Sequence, residues 1–159
     1  MSQQITLQAA SELLWQEADL LDRRAYDEWL DLWTDDGLYI VPIERDVEDY
    51  ADVLNYAYDD AKMRRMRVMR LKSSHSMSAL TASNTIRTVS RFVPLESADN
   101  EIRIRAAQHL VDYRRDSLRT TAADIEATIR RTDEGLKLVR KVVHLINCED
   151  AVSGMGYLL

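Results

Sequence analysis

Little in this chain could staple it together. One cysteine, two prolines, four glycines and a single phenylalanine stand among 159 residues. A lone cysteine excludes an internal disulfide, and it excludes any cluster or structural zinc site built from several thiolates of this chain. It fits a reducing cytoplasm. So few glycines and prolines exclude collagen-like or linker-like character and predict long regular elements. Basic charge is also short. With 21 Lys and Arg against 27 Asp and Glu, the formal net charge is −6 and the pI about 5.1. Such a chain repels phosphate backbones, which argues against nucleic acid as a partner. No run approaches the ~20 apolar residues of a membrane span, and residues 1–21 carry neither the cationic nor the apolar region of a secretion signal. The expectation is a cytoplasmic protein with no membrane contact.

What is present suits one globular domain over residues 1–159. Hydrophobic residues make up 46% and charged residues 30%, and a domain of this size buries roughly 70% of the surface its unfolded chain exposes. Leu7, Ala10, Leu14, Ala18 and Leu21 recur at three- and four-residue steps, the stripe of an amphipathic helix that Thr6 can cap. Asp22, Arg23 and Arg24 interrupt it. Tyr26, Trp29, Leu30 and Trp33 then predict a second short helix, stopped by residues 34–37 with Gly37 taking positive φ. Residues 38–43 (LYIVPI) read as a buried strand closed at Pro42.

Residues 44–57 are acidic and irregular and predict a loop with a helical turn. Residues 59–71 predict a helix, acidic at its start and basic later, as the helix dipole favours. From residue 85 onward the pattern becomes strand: β-branched residues over 85–93, strict alternation over 101–105 running on to Tyr113, and a second alternating run over 123–130. Asp133, Glu134 and Gly135 mark a hairpin before a last strand at residues 136–147. Helices followed by a meander of strands imply an α+β fold, with helices on one face of an antiparallel sheet.

The chemistry-bearing residues are few. His75, His109 and His144 are the only histidines, and no pair has the spacing of a helical metal site. His109 and His144 sit on neighbouring expected strands and could meet; the plainer reading is hydrogen-bonded sheet histidines. Cys148 reads as an inert thiol, since no activating base is near it in sequence. The basic helix over residues 62–72 reads as a solvated face or a subunit contact ahead of a phosphate site. Trp15, Tyr26, Trp29 and Trp33 read as core, with an interface anchor as the alternative. The apolar tail over residues 154–159 is expected to dock on this chain or a partner. No phosphate loop, nucleophile elbow or CxxC is present.

Residues 20–42 (LLDRRAYDEWLDLWTDDGLYIVP) resemble the N-terminal signature of the small (β) subunit of aromatic-ring-hydroxylating dioxygenases. Tyr58, Asp59 and Asp60 followed by residues 66–71, then residues 85–94, then residues 137–147 with Arg140, Lys141, Val142 and Val143, resemble later parts of that family in the same order. Two places depart from it: a Ser-Arg pair of the family reads Ser83-Asn84, with Arg87 kept at the later arginine, and a glycine of the penultimate strand is replaced within residues 122–124. The resemblance implies a cystatin-like cone, shared with nuclear transport factor and ketosteroid isomerase. It also implies a partner α subunit holding the Rieske 2Fe-2S cluster and the mononuclear iron, electrons from NAD(P)H through a reductase, and three β subunits packed beneath three α subunits. On this reading the chain itself has no catalytic, cofactor-binding or metal-binding residue; it is the structural subunit of an aromatic-ring dioxygenase. The competing reading is a stand-alone cone enzyme, an isomerase, dehydratase or cyclase, with Tyr39, His109 and His144 lining its pocket.

Overall fold

The computed structural model describes residues 3–77, 84–148 and 158–159, and only the backbone of residues 74–77. The first helix, α1 (Leu7–Asp22), starts where the sequence predicts. The Thr6 hydroxyl oxygen accepts from the Ala9 N–H at 3.0 Å. Its stripe of Ala10, Leu14, Ala18 and Leu21 is buried. The second helix, α2, is shorter than the aromatic spacing suggests and covers Tyr26–Asp31.

Trp33 opens strand β1 (Trp33–Pro42) instead of closing α2, and residues 34–37 form an irregularity inside that strand. Four residues separate Trp33 and Leu38 on β1, against one between their partners Leu138 and Arg140. Gly37 belongs to this bulge and does not take the positive φ expected of a helix stop. A side chain is excluded there by space: a Cβ would stand 2.8 Å from Trp33 Cε3 and 3.3 Å from the Leu138 carbonyl oxygen.

A short turn of 3-10 helix at Tyr50–Asp52 matches the expected helical turn. The loop around it ends sooner than the acidic composition suggests, because Asn55–Asp59 pairs with β1 as strand β2. Helix α3 (Ala61–Met77) therefore begins after Asp59, with Asp60 accepting from the Met63 N–H at 2.9 Å as its cap.

Four long strands follow: β3 (Asn84–Ser97), β4 (Glu101–Arg114), β5 (Ser117–Thr132) and β6 (Gly135–Leu145). The sheet order is β2-β1-β6-β5-β4-β3. It is mixed where a wholly antiparallel sheet was expected, since β1 runs parallel to β6. The chain leaves β1 through β2 and α3, crosses to the far edge, and returns strand by strand to lie beside β1.

Alternation sets the two faces. Ile102, Ile104, Ala106 and Leu110 of β4 and Ala123, Ile125, Ala127 and Ile129 of β5 point inward; charged residues alternate with them. Bulges in β3 after Ser90 and Pro94, with Arg91 at φ 57°, bend the sheet. The curved sheet wraps α1, whose main contacts are with β3.

Two tight hairpins set the register of the long strands. Gly135 takes φ +107° at the expected turn. Arg115 and Asp116, both at positive φ, close a two-residue turn between β4 and β5 that the sequence does not advertise with glycine.

Gly37→Ala is expected to lower stability by about 1–3 kcal/mol through overpacking against Trp33. Urea denaturation measures it, and an unchanged midpoint would show that the bulge opens freely.

Candidate functional site

The interior of the cone is lined by apolar walls with one polar row across them. On β1 and β6, Tyr39 sits opposite Lys141, and Lys141 sits opposite Ala127 of β5, all in register. Lys141 is 1% exposed and Glu17 of α1 is 3% exposed. The Lys141 ammonium donates to Glu17 Oε1 at 2.8 Å and to the Leu159 carbonyl oxygen at 2.7 Å. The Trp29 indole N–H donates to Glu17 Oε2 at 2.9 Å, so both carboxylate oxygens are engaged. The Tyr39 hydroxyl oxygen accepts from the Leu159 N–H at 2.9 Å.

Arg87 of β3 adds a second buried cation from outside that register. Its guanidinium donates to the Leu158 carbonyl oxygen and pairs with Asp22 at 2.5 Å. Asp22, the last residue of α1, also accepts from the Arg87 backbone N–H at 2.8 Å and the Thr85 hydroxyl at 3.0 Å. Burial pushes the Lys141 ammonium pKa below its ordinary value, with Glu17 opposing that shift. Burial holds the Tyr39 phenol far above its ordinary range, so it is neutral at every physiological pH.

This arrangement binds a stretch of backbone; it does not present a base. The carboxylate is bonded on both oxygens, the phenol is neutral and occupied, and Trp29, Trp33 and Tyr39 pack edge to face in the same interior. Leu158 and Leu159 are 2% and 3% exposed inside it, so these two residues of the apolar tail dock on the chain itself as expected. Residues 154–157 of that tail lie outside the described residues.

The structure does not bring the three pocket candidates together. Tyr39 faces the interior. His109 lies exposed on the outer face of β4, and His144 on the outer face of β6, with β5 between them. They are not on neighbouring strands. His144 Nε2 is 3.4 Å from the Tyr50 hydroxyl, and its nearest charged neighbours include Glu126, Asp124, Arg140 and Arg45. Burial lowers its pKa. The backbone of His75 lies in α3, and its side chain is outside the described residues, as is Ser83. Cys148 is buried, in keeping with an inert thiol. Among the described residues no group of three or more His, Cys, Asp or Glu is placed to hold a metal ion.

The basic helix resolves into structural arginines and an exposed face. Arg64 is buried, stacks over Trp33 at 4.4 Å, and donates to the carbonyl oxygens of Gly37, Asp59 and Thr34. Arg67 grips Asp59 at 2.5 and 3.1 Å, and Lys72 pairs with Asp27 at 2.6 Å. Met63, Met66 and Met69 recur on the exposed side, interleaved with exposed Lys62, Arg65 and Arg70. Trp15, 46% exposed, donates to the Val89 carbonyl oxygen at 2.8 Å and meets Phe92 edge to face, holding the flank of α1 on β3. Tyr26, Trp29 and Trp33 are core.

Sequence reasoning missed Glu17, Lys141 and Asp22. The signal existed: Glu17 is the one carboxylate set against the Leu14–Ala18–Leu21 stripe, and Lys141 shares the inward parity of Val143 and Leu145. One charge of each sign on two facing apolar surfaces points to a buried pair.

Two predictions follow from this geometry. Lys141→Met strands a buried carboxylate and is expected to cost about 3–5 kcal/mol. Adding Glu17→Gln, which keeps an acceptor for Trp29, is expected to recover part of that; equal stabilities of the single and double variants by denaturant unfolding would exclude the pair as the cause. His144 has a depressed folded pKa, so the unfolded chain takes up more protons between that value and 6.5. Stability is therefore expected to fall as pH drops through that window, more steeply for the native chain than for His144→Gln in melts from pH 7.5 to 5.5. Matching slopes would remove His144 from the account.

Residues 16–149 match the model of the family described as "Ring hydroxylating beta subunit". The chain is 34% identical over 143 residues to the small oxygenase component of the p-cumate 2,3-dioxygenase system of Pseudomonas putida, covering 86% of this chain and 77% of that one. Among solved structures it superposes on the β subunit of benzoate 1,2-dioxygenase from Burkholderia mallei with a TM-score of 0.84, at 22% identity, covering 98% and 99% of the two chains. An NTF2-like protein with a cystatin-like fold from Novosphingobium aromaticivorans matches with a TM-score of 0.63 at 18% identity, covering 86% and 79%. The fold is the cystatin-like cone that the sequence resemblance implies. The chain belongs to the ring-hydroxylating beta subunit family and is the β subunit of an aromatic-ring-hydroxylating dioxygenase.

Proposed function

We propose that residues 1–159 form one scaffold domain whose own side chains take no part in the oxidation, and that this subunit holds its α partners in place. In this reading three β subunits pack beneath three α subunits in the cytoplasm. The α subunit carries the Rieske 2Fe-2S cluster and the mononuclear iron, and a reductase delivers electrons from NAD(P)H. Those metal centres would supply the addition of both atoms of dioxygen to an aromatic ring, giving a cis-diol.

The observation that carries the proposal is the donor set of this chain. A Rieske centre takes two cysteines and two histidines; the chain has one cysteine, buried, and its histidines sit on α3, β4 and β6. These residues do not fit such a cluster, and no step is assigned to them. The contribution of this chain is instead rigid shape. Asp22, Arg87, Glu17 and Lys141 tie α1 to the sheet. The methionine and arginine face of α3, together with exposed Leu54, Ile86 and Leu118, offers surface for assembly.

Co-expression with an α subunit of the same family tests this. Iron and labile sulfide are expected to follow α, both subunits to elute together at equal stoichiometry, and the isolated β chain to bring down no iron. Stoichiometric iron on isolated β, or a β chain that never joins an iron-containing complex, would falsify it.

A further inference from the structure

We infer that the interior of the cone is a peptide-binding site, which the chain fills with its own Leu158 and Leu159. The inference stands apart from the scaffold role and does not depend on it. Its basis is that three buried polar side chains from three different strands converge on the Leu158–Leu159 peptide unit and the Leu159 backbone oxygen. Lys141 of β6 donates to the Leu159 carbonyl oxygen at 2.7 Å, Tyr39 of β1 accepts from the Leu159 N–H at 2.9 Å, and Arg87 of β3 donates to the Leu158 carbonyl oxygen. Lys141, Tyr39 and Arg87 are 1%, 2% and 8% exposed.

Two leucine side chains seeking only an apolar wall would need none of these. A buried Lys and a buried Arg are costly to place and are kept where a polar partner is fixed in space. Here Lys141 and Arg87 have ionic partners in Glu17 and Asp22, and each also donates to the backbone of a segment outside every helix and strand, whose N–H and carbonyl groups must be satisfied by something else. The site satisfies the carbonyl groups of both residues and the Leu159 N–H. It is anchored from behind: Glu17, itself held by Trp29, holds Lys141, and Asp22 holds Arg87. The ligand class is an extended peptide with two adjacent branched aliphatic side chains, presenting one N–H and two carbonyl groups. Leu158 and Leu159 are thus a tethered ligand, and a second peptide of the same kind can take their place.

The test uses the full chain. In Leu158→Lys/Leu159→Lys two ammonium groups would replace buried apolar side chains in an interior that already holds Lys141 and Arg87, so these residues cannot seat. This variant is expected to melt below the native chain. The peptide acetyl-Gly-Gly-Leu-Leu is expected to raise its melting temperature in a saturable, mass-action manner, while acetyl-Gly-Gly-Lys-Lys leaves it unchanged and the native chain, already occupied, responds to neither. Should the variant be unfolded, the same titration is read as recovery of far-ultraviolet circular dichroism. Adding Tyr39→Phe, which removes one acceptor and little volume, is expected to weaken the peptide Kd about three- to tenfold. The inference is overturned if the variant ignores acetyl-Gly-Gly-Leu-Leu whether folded or not, if the lysine peptide works equally well, or if Tyr39→Phe leaves the Kd unchanged.

Discussion

The contact between Lys141 and Glu17 is the constraint on which the rest of the molecule turns. It joins the central strand β6 to the helix that fills the cone, across 124 positions of sequence. A buried pair adds little net stability, because desolvating both charges offsets most of their attraction. Its consequence is specificity. A shift of β6 by one residue would turn Lys141 out of the cone and leave Glu17 buried alone, and a rotation of α1 would do the reverse. The second clamp, Asp22 with Arg87 and Thr85, acts at the C-terminal end of the same helix on the edge strand β3. Two points fix a helix on a curved surface where one would let it pivot.

Those clamps demand a curved sheet, and the curvature has local causes. The bulges of β3 bend the far edge, and the irregularity at residues 34–37 lets β1 keep step with β6 while Trp33 turns inward. Arg64 then fills the space that the bulge creates, stacking on Trp33 and satisfying three carbonyl groups. An arginine suits that position better than a lysine, since its planar fork can serve several acceptors while its face rests on an indole. The basic character of α3 is therefore partly architectural. What remains exposed is an alternation of methionine and cation, an adaptable surface.

Among the described residues, Tyr39 is neutral, Glu17 is engaged on both carboxylate oxygens, and His109 and His144 stand apart on the outer face. The same cone in other proteins can host a pocket, since a fold does not by itself carry a function. Here the interior is taken up by Trp29, Trp33 and the chain's own Leu158 and Leu159. The chain keeps the architecture and fills its interior with its own side chains, which suits the proposed scaffold role.

Much of this was legible in order along the chain. The stripe from Leu7 to Leu21, the capping Thr6, the alternation over β4 and β5 and the turn at Gly135 are local patterns with local causes, and the run at residues 20–42 carried the family. Local chemistry could not show that Asn55–Asp59 would pair with β1, because a short strand in an acidic loop gains its stability from its neighbour. Nor could it show that Gly37 answers to crowding by Trp33 and Leu138, or that β5 lies between His109 and His144, since strand order is set by how the whole sheet closes. Glu17 and Lys141 were visible as charges out of place, but they lie 124 positions apart, and the partner of Asp22 lies 65 positions away. The periodicity of a sequence determines which face a residue takes; only the packed sheet decides which residue meets it there.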